Sequence, residues 1–193
     1  MKLKTRTIAR LRDALLQSGR RPSMVASSAY ETLTREGLLT TEEVAALNRV
    51  DALAETMFLM MAADGKLTDE EHDAVRGAIR GLTDNVLRTG TINVMLQNYQ
   101  GRLDSDGREE RLHQIAETIS EEASEAEGAF ALAAAVALAD DDIADEENAL
   151  INQLAEWFGI APERSRQILD QLEEDGDEDA DDDAVTNRPP PAG

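Results

Sequence analysis

One nine-residue pattern occurs twice, 76 positions apart, and it restricts the fold more than any other feature of the chain. Ala63-Asp64-Gly65-Lys66-Leu67-Thr68-Asp69-Glu70-Glu71 returns as Ala139-Asp140-Asp141-Asp142-Ile143-Ala144-Asp145-Glu146-Glu147. Each copy follows an apolar stretch (Met57 to Ala63, Ala133 to Ala139) and opens another at helical spacing (Val75 and Ile79, Ile151 and Ala155). Two matching helix–acidic loop–helix units in 193 residues imply a duplicated helical domain whose two acidic loops are related by pseudo-symmetry. No segment sustains a period-2 alternation, so the chain reads as an all-α bundle of about seven to nine helices.

Composition supports this reading. Hydrophobic residues make up 41% of the chain but aromatics only 3%, so the core must come from Leu, Ile, Val, Ala and Met. Such a mixture suits helices better than sheets. With no cysteine, disulfides and thiol chemistry are excluded. The net charge of −21 is uneven. Residues 1–21 carry seven Lys or Arg against Asp13, and residues 173–193 carry nine acids against Arg188. The acidic body repels phosphate backbones, which argues against nucleic acid as a partner. No apolar run approaches the roughly 18 residues of a membrane span. The Arg-rich start resembles a transit peptide, but Ile8, Leu11 and Leu15 stand at amphipathic-helix spacing, and the helix is the preferred reading.

Along the chain, the first helix is expected to end near Gly19, with a break at Arg20 to Ser23. A stripe of Val25, Ala26, Ala29, Tyr30 and Leu33 follows and closes at Gly37. Thr40 with Glu43 and Thr68 with Glu71 both form the S/T-x-x-E capping box that opens a helix. Gly90 and Gly101 are expected to interrupt the helices around them. Gly159-Ile160 reads as a Schellman close, and Pro162 as the first turn of a last helix. Trp157, the single tryptophan, is expected to half-bury against that last helix, and Met57, Met60 and Met61 to fill the core. The organisation is then a basic helical extension over 1–40, a helical domain over 41–172, and an acidic, proline-ended tail over 173–193 that is expected to be disordered.

The acidic loops carry the functional signal. Asp140, Asp141 and Asp142 stand where one helix ends, and negative charge there is disfavoured by about 0.3–1 kcal/mol each. Asp145, Glu146 and Glu147 stand where the next begins, and negative charge is favoured there. Crowded oxygen ligands suit a hard cation such as Ca²⁺ or Mg²⁺. The bland alternative is that Asp64 satisfies loop amides and Glu71 serves only its cap. The loop is not an EF-hand, since Lys66 occupies the third position. His72 and His113 form no His-Glu-x-x-His pair and read as helix-surface residues, so a metal hydrolase has little support.

The repeated Ala-Asp-Gly-x-(Ile/Leu)-x-x-Glu-Glu junction resembles the tellurite-resistance TerB family, whose fold is also similar to the N-terminal region of DjlA-type co-chaperones. Ala63 to Glu71 matches at every informative position. Ala139 to Glu147 keeps Asp140, Ile143 and Glu147 but has Asp141 in place of the glycine. Trp157-Phe158-Gly159-Ile160 before a final helix also fits, and the resemblance covers about residues 50–172. It implies an all-helical fold of about seven helices with internal pseudo-two-fold symmetry, whose two loops converge on a metal site. Carried over, the ligands are Asp64, Glu71, Asp140 and Glu147, with Asp142 and Asp145 as secondary candidates. It further implies a cytoplasmic, non-enzymatic stress-response module that binds a divalent cation and works with other proteins, including a membrane-associated stress complex. The alternative is a metal-free acidic adaptor that docks basic partners.

Overall fold

The computed structural model describes residues 5–17, 33–62, 67–119, 123–138, 145–172 and 174. Its helices are α1 (Thr5–Gln17), α2 (Thr41–Met61), α3 (Asp69–Leu82), α4 (Thr89–Asp106), α5 (Arg108–Ile119), α6 (Ala123–Ala137) and α7 (Asp145–Trp157). A last helix, α8, covers residues 162–172. The protein is all-α, and no strand occurs among the described residues. The duplication is visible in the helix limits. Helix α2 ends at Met61 and α3 begins at Asp69; 76 residues on, α6 ends at Ala137 and α7 begins at Asp145.

The two junction helices form the centre. Among the described elements, α2 and α6 make the most extensive contact of any pair. From Leu53 to Met61 every residue of α2 is buried, as expected of a helix that is apolar almost all round. Helix α6 meets it with alanines and Gly128, where an added Cβ would lie 3.2 Å from Leu53 Cδ2. Helices α3, α4 and α5 pack on α2, while α5 and α7 pack on α6. Met57, Met60 and Met61 are core residues.

Capping explains where the central helices start. Thr40 accepts from the Glu43 amide at 3.1 Å while Glu43 accepts from the Thr40 amide at 3.0 Å. Thr68 and Glu71 repeat the arrangement at α3. At the far end of α7, Gly159 takes φ +66° and the Ile160 amide reaches back to the Ala155 carbonyl at 2.8 Å, the expected Schellman close. Pro162 lies at the start of α8.

The basic N-terminal segment forms the amphipathic helix its spacing predicts. Ile8 and Leu11 are buried and Arg6 and Arg10 exposed, and α1 lies on α3 and α6. A Cβ at Gly81 would stand 2.6 Å from Ile8 Cγ2, so α1 can seat only because position 81 is bare. The expected helix end near Gly19, the break at Arg20 to Ser23, the stripe from Val25 to Tyr30 and, but for residue 174, the tail lie outside the described residues. Gly37, at φ +69°, closes the helical turn at 33–35.

Two glycines behave otherwise than expected. Helix α3 stops at Leu82, where Asp84 and Asn85 turn left-handed (φ +50° and +61°), and Gly90 lies inside α4. Gly101 also lies inside α4, which continues to Asp106. An added Cβ at either position would meet nothing within 4 Å, so these glycines are ordinary helix positions. Their cost is about 1 kcal/mol each against alanine. Trp157 is half-buried as expected, but its ring packs edge-on against His113 of α5, with centroids 5.4 Å apart.

Candidate functional site

The first junction runs from the C-terminal end of α2 to Thr68. The Ala62 amide closes α2 on the Phe58 carbonyl at 3.0 Å, and Leu67 is buried just before the cap. Glu71 Oε2 accepts from the Thr68 amide at 2.7 Å and from its hydroxyl at 2.9 Å. The cap leaves Glu71 Oε1 unused. The second junction runs from Leu138, whose amide closes on Ala134 at 2.8 Å, to Asp145. Asp145 and Glu147 stand in the first turn of α7, as Asp69 and Glu71 do in α3.

Of the sequence-predicted ligands, Glu71 is therefore described in full and Asp145 and Glu147 by backbone alone. Asp64, Asp140 and Asp142 lie outside the described residues. Among the described residues no three carboxylates or imidazoles stand close enough together to hold a metal ion. The donor chemistry fits a hard cation. Carboxylates from both junctions would supply the oxygens, and Glu71 Oε1 remains available beside its cap. His113 is exposed, while His72 is half-buried with its Nδ1 shielded and without a hydrogen-bond partner.

Sequence reasoning missed a line of acids buried along α2. Glu43, Asp51 and Glu55 are 2%, 4% and 1% exposed, which rules out a solvated role for each. Glu43 binds Arg88 through two bonds of 2.7 and 2.8 Å and accepts from Thr91 at 3.3 Å. Arg88 also donates to the Leu38 carbonyl. The Arg88 hydrogen bonds hold the Glu43 carboxyl at about 2, well below its ordinary 4.5. Burial opposes them and the Thr40 amide reinforces them.

Asp51 accepts from the buried Tyr99 hydroxyl at 2.8 Å. The Arg102 guanidinium lies over the Tyr99 ring at 5.3 Å. Glu55 is gripped by Arg111 through bonds of 2.6 and 3.0 Å, and Arg102 Nε stands 3.2 Å away without hydrogen-bonding geometry. Burial works against the Arg111 charge, but its Glu55 bonds outweigh that and raise its pKa above the ordinary value. The signal for Asp51 was present: it stands four residues after Leu47 and seven after Val44, inside the apolar stripe.

The second half carries a related tie. Arg164 grips Glu127 of α6 through bonds of 2.9 and 2.7 Å. Arg88 and Arg164 are 76 positions apart, and each binds a carboxylate of a central helix. These charges are neutralised within the fold and hold its helices together.

The architecture defines a class: a small all-helical module made of two helix–acidic junction–helix halves packed through long central helices. A family model described as tellurite resistance protein TerB matches residues 50–171, more than half of the chain, and the chain belongs to the TerB family. That family is generally a non-enzymatic one. No curated protein and no solved structure matches the chain. Helix α1 and the first turns of α2 precede the matched region. Among the described residues no helix is long and apolar enough to cross a membrane.

Proposed function

We propose that this chain is a non-enzymatic TerB-type stress-response module that binds one divalent cation, calcium or magnesium, between its two acidic junctions. Asp64, Glu71, Asp140 and Glu147 are the ligands, with Asp142 and Asp145 beside them. The module works in the cytoplasm with other proteins, including a membrane-associated stress complex. The observation that carries this reading is the matched pair of junctions. Two acidic loops follow the two central helices, each leads into a helix that starts at the same offset, and both fall within the family match.

The proposed mechanism is linkage. Carboxylates that oppose a helix C-terminus and each other destabilise the cation-free state. A cation removes that repulsion and ties α2 and α3 to α6 and α7. At about 100 times its dissociation constant it adds about 2.7 kcal/mol of stability. For a chain of this size that is roughly 5–11 °C in melting temperature. Melting in calcium, magnesium, manganese and zinc against chelator tests the reading. A flat series, with Asp140→Asn and Glu147→Gln melting no lower than wild type, would remove its support.

A further inference from the structure

A second candidate site lies at the α4–α5 junction, away from the acidic loops. Trp157 ends α7 about 18 Å along that helix from Asp145. There its indole, with His113, forms one wall of an open concavity of about 560 Å³. The two rings meet nearly at right angles (83°). The end of α4 and the first turn of α5 line the rest of the concavity. Gly107, at φ +81°, turns the chain between them sharply, so that Asp106, Glu109 and Glu110 line the same space.

Asp106 lies within electrostatic reach of Arg111, and Glu109 and Glu110 stand in the first turn of α5, but none of the three has a direct ionic partner among the described residues. Asp106 accepts only from the Ser105 hydroxyl at 2.6 Å, and Glu110 only from the Gln114 amide at 3.1 Å. Arg108, on the same rim, pairs with none of them, and the carboxylates outnumber it three to one. An aromatic ring beside unpaired carboxylates is chemistry for an organic cation. The ring attracts positive charge through its quadrupole and the carboxylates neutralise it. Tryptophan and arginine are also the residues that most often dominate protein interfaces.

We propose that this concavity receives an arginine or lysine side chain from a basic segment of a partner protein. The cation lies against the Trp157 indole, and Glu109 and Glu110 neutralise it. The net charge of −21 draws basic segments in from a distance. The site needs no metal, so its success or failure is separate from that of the junction site.

Trp157 is the only tryptophan, so its fluorescence reports on this concavity alone. The full chain is titrated in chelator with a short arginine-rich peptide and with the same peptide carrying citrulline in place of arginine. The expected result is a saturable emission change with the arginine peptide only, with a Kd several-fold larger at about 0.3 M than at about 0.05 M salt. Glu109→Gln combined with Glu110→Gln raises Kd about tenfold, and a circular dichroism melt of the variant, which loses two first-turn charges of α5, confirms that it is folded at the titration temperature. An absent response, an equal response to the citrulline peptide, or wild-type affinity in the double variant overturns the proposal. So does an emission shift in the free chain on Lys2→Gln with Lys4→Gln, which would put the chain's own N-terminus in the site.

Discussion

Replacing Arg111 with methionine removes one half of the most deeply buried ion pair among the described residues. Glu55 is 1% exposed and receives two Arg111 bonds of 2.6 and 3.0 Å. Methionine keeps the aliphatic stem and deletes the charge. Arg102 remains 3.2 Å from Glu55 but without hydrogen-bonding geometry, so it compensates only in part. Breaking a buried pair from one side costs about 3–5 kcal/mol, and the remaining arginine places this case near the lower figure. A loss of about 3 kcal/mol lowers the melting temperature by roughly 6–12 °C. Circular dichroism melts, with urea midpoints at pH 7, measure it. Adding Glu55→Leu to Arg111→Met recovers part of the loss, because the Glu55 carboxylate is no longer stranded in the core, although Arg102 then loses the charge it faces. If Arg111→Met stays within about 0.5 kcal/mol of wild type, the pair contributes nothing that the core requires and the reasoning fails.

Three further predictions concern the rest of the bundle. Thr68→Ala deletes the cap of α3 and lowers stability by about 1 kcal/mol, read from urea midpoints in chelator. Gly81→Ala sets a gain of about 1 kcal/mol in helix propensity against a Cβ driven into Ile8 at 2.6 Å; the clash wins, and trypsin cuts after Arg10 and Arg12 faster than in wild type. Glu43 has a depressed pKa, so the stability it contributes is complete above its ordinary 4.5 and is lost as pH falls toward about 2. Glu43→Gln therefore narrows its stability gap to wild type across that window, as urea midpoints measured against pH will show.

Much of the fold was legible because helices announce themselves locally. The Thr40 and Thr68 boxes, the Gly159-Ile160 close and the 76-residue repeat are contained in short stretches of chain, and each appears in the structure. The end of α3 was misread because the chain turns at Asp84 and Asn85, residue types that tolerate left-handed backbone, while the more obvious Gly90 sits in open space within α4. The buried acids were missed because their partners are distant in sequence: Arg88 is 45 residues from Glu43, Tyr99 is 48 from Asp51, and Arg111 is 56 from Glu55. An acid on a helix looks like surface until the opposing cation is known. The edge contact of Trp157 with His113 was not foreseen for the same reason, since α5 lies far from it along the chain. At the junctions, sequence spacing located both helix limits and the Glu71 cap, while Asp64, Asp140 and Asp142 lie outside the described residues.

The central claim is that a single cation joins the two junctions, and calorimetric titration of chelator-stripped full-length chain tests it most directly. Calcium and magnesium are injected into wild type, into Asp64→Asn, and into Asp140→Asn. The account predicts one saturable event per chain in wild type, weakened by substitution at either junction, since each loop supplies ligands to the same ion. Two independent events, each abolished only by its own loop's substitution, or no binding heat with either metal, would contradict it.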